Sequence, residues 1–134
     1  MQDLNPNAPY VWIAGFNFGA WIGMQLLMRR PEIEGFISVA PPANLYDFSF
    51  LAPCPSSGLI IRGEKDDVVT ADPVNKLVEK LQAQKGIEID QRTVKGANHF
   101  FHDKVDDLIV HIHDHMNNAE FGGNEIPVRI KKAA

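Results

Sequence analysis

The chain has 134 residues, of which 45% are hydrophobic and 22% charged, a composition that excludes a disordered chain and fits a single folded domain. Thirteen basic and seventeen acidic residues give a net charge of −4, with no Lys or Arg run longer than a pair, so we expect neither nucleic acid nor an anionic membrane as the main partner. The single cysteine, Cys54, cannot form an internal disulfide or a cysteine-based zinc site, so we expect a cytoplasmic protein.

An uncharged stretch near the amino terminus has two interpretations. Residues Val11–Met28 carry no charge, and a run of this length is at the lower margin for a membrane-spanning helix. The run includes Asn17, Gln25 and three glycines. It also opens within Tyr10–Ala14, an aromatic and β-branched segment typical of a buried strand. We therefore predict a strand followed by a helix, and no membrane association.

The first half of the chain alternates short apolar strands with one helix. The predicted elements are the strand Tyr10–Ala14, the helix Phe18–Arg30, the strand Gly35–Ala40 and the strand Gly58–Arg62. Pro31 ends the helix because proline cannot continue it. The helix is apolar on nearly all sides, so we expect other parts of the fold to cover it on both sides. Residues 43–57 are predicted to form a loop.

The second half of the chain continues the alternation. Asp72 and Pro73 are predicted to be the N-cap and the first residue of a helix that ends before Gly86. The strand Ile87–Val94 alternates apolar and polar residues, so we expect it near a sheet edge. The helix Asp103–Met116 carries one apolar stripe.

The order of these elements predicts the fold class. Alternating strands and helices are typical of an α/β fold, here with a mainly parallel sheet of about four strands and flanking helices. We assign this domain to residues 1–116. Residues 117–134 show no periodicity and are predicted to form a loosely ordered tail.

The turn between the first strand and the first helix carries a motif, Gly15-Phe16-Asn17-Phe18-Gly19. Its spacing is that of the nucleophile elbow, Gly-x-Ser-x-Gly, in which two glycines permit a very tight turn and the central side chain projects above the sheet. The central residue here is Asn17, which tolerates a left-handed backbone but whose amide is not a nucleophile. A glycine-rich turn without chemistry fits the same pattern.

Two further polar loops follow predicted strands. Asp66 lies in GEKDDVV after the third strand, and His99 lies in GANHFF after the fourth. Taken singly, Asp66 also fits a solvated turn acid and His99 a capping histidine. However, the chain order of elbow, acid and histidine is that of the hydrolase triad on an open α/β sheet. Such sheets place their sites at the carboxyl ends of the strands, so the three positions together predict one catalytic site.

Three segments, GFNFGAWIGMQLLMRRPEIEGFISVAPP, PCPSSGLIIRGEKDDVV and KGANHFF, carry a family resemblance. The sequence resembles the α/β-hydrolase superfamily, and more narrowly the cap-less bacterial serine hydrolases related to dienelactone hydrolases and short-chain esterases. The resemblance implies that the elbow serine falls at position 17, the triad acid at Asp66 and the base at His99. It implies one oxyanion donor at the backbone N–H of Phe18, a small ester-like substrate and no cofactor.

Two departures from the family pattern predict a loss of activity. Asn17 replaces the serine, and the chain resembles only the C-terminal half of such a hydrolase, without the loop that gives the second oxyanion N–H. We therefore expect a relative of ester-cleaving serine hydrolases that is inactive as this chain. Two alternatives stay open. One is a pseudo-hydrolase that serves as a binding or assembly module, and the other is a weak hydrolase in which His99 and Asp66 activate water.

Deamidation offers a chemical route around the missing serine. It would convert Asn17 into aspartate, which is the nucleophile in relatives that hydrolyse epoxides and alkyl halides. We expect this reaction to contribute little, because the bulky Phe18 follows and because the turn is rigid.

The resemblance also predicts self-association. In the superfamily one neighbour of the elbow strand comes from the half that is absent here, so Tyr10–Ala14 should present an unpaired apolar edge. We therefore expect a homodimer through this edge, or through the faces of the helix 18–30.

The remaining candidate groups are expected to be structural. His111, His113 and His115 include an i, i+4 pair, but no third ligand is predictable nearby, so a water-facing helix flank is preferred over a metal site. Cys54 stands between two prolines with no base close in sequence. We expect no metal ion.

Overall fold

The computed structural model describes residues 10–30, 32–51, 54, 56–84, 86–118 and 128–133. Its elements are β1 Tyr10–Phe16, α1 Phe18–Arg29, β2 Gly35–Val39, β3 Gly58–Gly63, α2 Ala71–Gln82, β4 Ile89–Val94, α3 Val105–Asn118 and β5 Val128–Ala133. The strands form a five-stranded sheet in the order β4-β3-β2-β1-β5, and every pairing is parallel. The predicted α/β fold is confirmed, with one strand more than expected.

Each face of the sheet has its own apolar core. Ile13 and Ile60 pack with side chains of α1 and α2 on one face. Their chain neighbours Trp12 and Leu59 pack on the opposite face, where α3 contributes, because successive strand residues point to opposite sides. All residues of β2 and β3 are buried, which explains why both strands are continuous apolar runs.

The parallel arrangement decides where a site can form. The carboxyl ends of β1, β3 and β4 lie at the same edge of the sheet, with β2 between β1 and β3. The loops that leave these ends are those that contain Asn17, Asp66 and His99. Strand β4 is the outer strand of the sheet, as its alternating pattern predicts.

Two details of the helices differ from the predictions. Helix α2 begins at Ala71 with Thr70 as N-cap, so Asp72 and Pro73 lie inside its first turn. An acidic side chain is favourable there and a missing N–H costs nothing. Helix α1 buries one face, whereas its Phe18 and Met28 are 47% and 39% exposed, so it is not covered on both sides. None of the described helices is long and apolar enough to cross a membrane.

The carboxyl-terminal segment departs most from expectation. Helix α3 continues to Asn118, and β5 pairs in parallel with β1, with Trp12 opposite Ile130. Residues 117–118 and 128–133 are therefore regular structure within the predicted loosely ordered tail, and the rest of that tail, 119–127 and 134, lies outside the described residues. The edge of β1 expected to be free is taken by β5, because the open N–H and C=O groups of an apolar strand attract another strand.

Candidate active site

The turn at Asn17 has the geometry of an elbow. Asn17 lies between the end of β1 and the start of α1, with φ 54° and ψ −117°, a conformation that non-glycine residues rarely adopt. A Cβ at Gly15 would collide with the carbonyl oxygen of Gly19 in the first turn of α1. Glycine at 15 is thus required by the close approach of strand and helix.

Backbone hydrogen bonds hold this turn. The Asn17 N–H donates to the carbonyl of Val39 at the end of β2 at 2.8 Å. The Asn17 carbonyl accepts from the N–H groups of Ala20 and Trp21 at 2.9 and 3.3 Å. The position of the side chain at 17 is therefore set by main-chain contacts, whatever that side chain is.

Asp66 is enclosed by its own loop. Its Oδ1 accepts from the backbone N–H groups of Val68 and Val69 at 2.9 and 2.8 Å, and its side chain is 0% exposed. The other oxygen, Oδ2, is therefore left to face His99.

Sequence reasoning missed Arg62, which supports the Asp66 loop. The buried guanidinium donates through Nη2 to the carbonyl of Asp66 at 3.0 Å and through Nε to the carbonyl of Val69 at 3.2 Å. Arg62 ends the predicted apolar strand, and an arginine in a strand with both faces covered is the signal that was available, since arginine is rarely buried without partners.

His99 lies between the other two predicted site residues and contacts both. Its Nδ1 lies 2.9 Å from Oδ2 of Asp66, and its Nε2 lies 2.9 Å from Nδ2 of Asn17. The ring is 4% exposed. The structure thus brings Asn17, His99 and Asp66 into one hydrogen-bonded row, and their catalytic roles stay predictions.

The hydrogen-bond directions follow from the groups present. A carboxylate only accepts hydrogen bonds, so Nδ1 of His99 donates to Asp66. In the neutral imidazole Nε2 then accepts, and the Asn17 amide donates to it through Nδ2. In a serine hydrolase the same Nε2 would accept the proton of the nucleophilic hydroxyl. Here it meets an amide instead.

The histidine loop is fastened to the acid loop by backbone contacts. The Lys65 N–H donates to the carbonyl of Ala97 at 2.8 Å, and the Gly96 N–H donates to Oε1 of Glu64 at 2.9 Å. A Cβ at Gly63 would collide with the same Ala97 carbonyl. Glycine at 63 is therefore required by the close approach of the two loops, a role that the sequence analysis did not predict.

Phe18, the predicted oxyanion donor, is the first residue of α1. The first N–H groups of a helix have no acceptor within the helix, so this N–H is directed out of the helix next to the Asn17 side chain. Such a donor suits a negatively charged oxygen. Its role as an oxyanion donor stays a prediction.

Aromatic side chains surround the row. The ring of Phe16 lies 5.4 Å from that of His99, and Phe100 lies 5.0 Å from it on another side. The ring centroid of Phe18 lies 5.6 Å from that of Trp21 and 5.5 Å from that of Tyr46. The exposed fractions are 47% for Phe18, 39% for Tyr46 and 73% for Phe100, so the mouth of the site is an apolar surface.

Two of the three histidines on α3 do not face water as predicted, whereas His113 is exposed as expected. His115 lies 2.8 Å from Asp90, and His111 lies 3.4 Å from Arg92, both on β4. Each is half-buried, because the flank of α3 beside the apolar stripe packs on the edge strand. Among the residues that the structure describes, no three possible ligands form a metal site.

Cys54 lies away from this row of side chains. It is 4% exposed, and its Sγ lies 3.4 Å from the carbonyl of Ser56. Burial raises the pKa of the Cys54 thiol, so the thiolate required of a nucleophile is disfavoured at neutral pH.

Comparison with known proteins places this geometry in a family. An uncharacterised protein of Rickettsia prowazekii (strain Madrid E) is 49% identical over 120 residues, which are 87% of this chain and 50% of that protein. A structure of a protein of unknown function from Agrobacterium tumefaciens, described as a candidate alpha/beta hydrolase, is 60% identical with a TM-score of 0.83 and covers 91% of this chain. An α/β serine hydrolase without lid from Xanthomonas campestris is 32% identical with a TM-score of 0.65 and covers 81% of this chain.

The chain spans about half the length of these relatives, with 56% of the Agrobacterium chain and 49% of the Xanthomonas chain covered. Residues 20–118 match the prolyl oligopeptidase family, a range that begins just after the elbow and includes Asp66 and His99. The match covers most of the chain, and the parallel sheet is that of the solved α/β hydrolases. The chain belongs to the prolyl oligopeptidase family of the α/β-hydrolase superfamily.

Proposed function

We propose that this chain retains the acid and base of an ester-cleaving serine hydrolase but does not turn over esters, because the nucleophile position is Asn17. The observation that carries the proposal is the 2.9 Å contact between Asn17 Nδ2 and His99 Nε2. The side-chain amide of Asn17 is not a nucleophile toward an ester, so His99 has no hydroxyl to activate. The chain is a degenerate member of its family.

The magnitude of the loss follows from studies of such triads in general. Removal of one triad member leaves a residual rate of ~10³-fold over water, provided that the oxyanion hole and the substrate pocket remain. Phe18 supplies one oxyanion donor at most. The chain spans about half the length of its relatives. Where the second oxyanion donor lies in the other half, this chain alone stabilises the transition state by about 3 kcal/mol less.

The substrate class rests on the family. Serine hydrolases that cleave esters and those that cleave peptides both transfer an acyl group from the substrate to the elbow residue. An activated aryl ester with a short acyl chain is the least demanding acyl donor, so it reports on either type. The exposed aromatic mouth formed by Phe18, Tyr46 and Phe100 suits a small apolar acyl or alcohol group.

Turnover of a short-chain aryl ester tests the proposal. We expect the unaltered chain and the His99→Ala variant to give the same rate, equal to that of buffer. We expect Asn17→Ser to stay near this background as well, because one hydroxyl does not restore the second oxyanion donor.

Two outcomes would contradict the proposal. A rate in the unaltered chain that disappears in His99→Ala would favour the weak hydrolase in which His99 and Asp66 activate water. A strong His99-dependent rate in Asn17→Ser would mean that the site is otherwise complete in this chain.

A second candidate function is a binding or assembly module, and the aromatic mouth favours it. The Trp21 ring stacks on Tyr46 at 4.9 Å and donates through Nε1 to the carbonyl of Asp47 at 3.0 Å, so this surface is ordered before any partner binds. Self-association through the outer side of α1, where Phe18 and Met28 are exposed, would then replace the strand pairing that β5 prevents. Light scattering at several concentrations tests this candidate, and Phe18→Asp should shift the mass toward that of one chain. A mass of one chain at every concentration would exclude it.

A further inference from the structure

The backbone at Asn17 is held in a conformation that favours reaction with its own side chain. Seen along the Cα–C bond, the substituents of Cα are evenly spaced, so in an L residue a ψ of −117° nearly eclipses the nitrogen of Phe18 with the Cβ of Asn17. In a helix or a strand, where ψ is about −42° or about +135°, the two atoms are well separated. A five-membered ring closed by the Phe18 nitrogen on Cγ of Asn17 requires the eclipsed arrangement. The elbow therefore supplies one of the two torsions of that ring, and rotation about Cα–Cβ supplies the other.

The Phe18 nitrogen is available for this attack. It belongs to the first residue of α1, whose N–H has no acceptor within the helix. The Asn17 carbonyl of the same peptide group accepts hydrogen bonds from Ala20 and Trp21. These bonds withdraw electron density from the peptide, so the Phe18 N–H gives up its proton more easily.

The nitrogen that must leave lies beside a proton carrier. Asn17 Nδ2 is 2.9 Å from His99 Nε2, and Asp66 Oδ2, 2.9 Å from Nδ1, fixes the orientation of the ring. An imidazole in this position can accept a proton from one group and donate it to another. Asn17 is half-buried, so water can reach its side chain.

We propose that Asn17 is a self-modifying residue that deamidates through a cyclic imide. The Phe18 nitrogen bonds to Cγ of Asn17, the Cγ–Nδ2 bond breaks, and the proton of the Phe18 N–H passes by way of His99 to the departing ammonia. Water then adds to one carbonyl of the imide. Opening at Cγ gives aspartate and restores the Phe18 N–H, whereas opening at the backbone carbonyl gives isoaspartate. The net reaction consumes one water and releases one ammonia.

The proposal departs from the expectation from sequence that a rigid turn and a bulky neighbour suppress deamidation. The turn is rigid in the reactive conformation, and the Phe18 ring is fixed against Trp21 and Tyr46 instead of moving over the reacting atoms. The aspartate product places a nucleophilic carboxylate beside His99, a group that the asparagine form lacks. The inference does not rest on the proposed function, since it concerns only the chemistry of Asn17.

Peptide mapping by mass spectrometry tests the inference on the full chain. We expect the peptide that contains residue 17 to gain the mass of an amide-to-acid change over time and to take up one heavy oxygen in ¹⁸O water. Asn44 is the matched control, since it is exposed and is also followed by a bulky residue, Leu45. We expect its peptide to react at least about tenfold more slowly, because a residue outside such an elbow mostly adopts helical or extended ψ, at which the following nitrogen and Cβ are well separated.

The sharpest readout compares folded and unfolded protein. We expect the reaction at Asn17 to be at least about tenfold faster in the folded chain than in concentrated urea, because an unfolded residue mostly adopts the helical or extended ψ values at which the nitrogen and Cβ are well separated. A reaction that is equal or faster in urea would overturn the proposal. So would a product that is entirely aspartate, because that result indicates direct attack by water.

A separate experiment tests the role of His99. We expect His99→Gln to slow the reaction in the folded chain by about 10²-fold, as loss of a proton carrier does, while Asn44 is unaffected. An unchanged rate in a variant that retains its far-ultraviolet circular dichroism would remove His99 from the mechanism.

Discussion

The acid–histidine pair and the elbow belong to the same candidate site, but they are held by different means. Asp66 is held by its side chain, which accepts hydrogen bonds from two backbone N–H groups and from His99. Asn17 is held by its main chain, through Val39 and the first turn of α1. A substitution at 17 therefore changes the chemistry and keeps the geometry, whereas a substitution at 66 changes both.

This difference explains how the candidate site can be ordered with an asparagine at position 17. The elbow requires glycine at 15 because of the Gly19 carbonyl, and it requires a residue that tolerates φ of 54° at 17. Asparagine is among the residues that adopt positive φ most readily. Asparagine at position 17 is thus compatible with the backbone that the turn requires.

The largest expected effect comes from removing the strand beside the elbow. A chain that ends at Asn118 lacks β5, so the edge of β1 is exposed as a row of unpaired N–H and C=O groups. We expect this chain to associate or precipitate at concentrations at which the full chain does not. Sedimentation velocity over a range of concentrations measures the difference.

The control keeps the chain length. Ile130→Pro places a proline, which weakens strand pairing, opposite Trp12 in β5, and we expect an intermediate degree of association. If the chain that ends at Asn118 sediments as a folded monomer, β5 does not protect the elbow strand.

The next effect concerns the contact between the acid loop and the histidine loop. In Gly63→Ala the new Cβ meets backbone carbonyls of Ala97 and Asn98, which cannot move aside without separating the loops. We expect a loss of about 3 kcal/mol in the free energy of unfolding, measured by urea denaturation. Gly86→Ala is the control, since a Cβ there meets nothing and only its φ of 88° is unfavourable, so about 1 kcal/mol is expected. Equal losses would show that the loop contact is not tight.

A somewhat smaller effect is expected from the residue that supports the acid loop. Arg62→Met removes the donors to the carbonyls of Asp66 and Val69, so we expect a loss of about 2 kcal/mol. Arg62→Lys keeps the charge and one donor and should lose less. The proton on Nδ1 of His99, followed by NMR, should exchange faster in Arg62→Met. An unchanged exchange rate would mean that Arg62 stabilises the fold without positioning Asp66.

The fold was largely predictable from the sequence because its signals are local. The periodicity of α2 and α3, the apolar run of α1 before Pro31 and the buried runs of β2 and β3 predict elements whose bounds agree with the structure within a few residues. Strand β5 was missed because its short segment becomes a strand by pairing with β1, a contact distant in sequence. Strand propensity depends on such a neighbour more than on the residues themselves.

The three residues of the candidate site could be predicted from the sequence, whereas the residues that support them could not. The elbow spacing and the rule that polar residues gather at strand carboxyl ends predict Asn17, Asp66 and His99. Arg62 and Gly63 act through contacts with loops whose conformations cannot be predicted from the sequence. The torsion of Asn17 likewise depends on how closely β1 and α1 approach, which is a property of the packed fold.

The smallest effect on stability is expected from Asp66→Asn. This variant is also the most informative about the direction of the hydrogen bonds in the row. Asparagine can keep an oxygen toward the N–H groups of Val68 and Val69, so we expect a loss of only about 1 kcal/mol. The group that faces His99 then becomes an NH₂ donor, and Nδ1 must accept. His99 therefore changes tautomer and carries its proton on Nε2.

That change continues to the elbow. A proton on Nε2 would oppose the NH₂ group of Asn17, so the Asn17 amide should turn to present its oxygen to the ring. Nitrogen NMR of the labelled His99 ring measures the tautomer. Asp67→Asn removes the same charge one position along, at an exposed residue, and should leave the tautomer unchanged. If Nδ1 keeps its proton in Asp66→Asn, Asp66 does not determine the tautomer of His99. If both variants change the tautomer, the cause is the lost charge and not the hydrogen bond at 66.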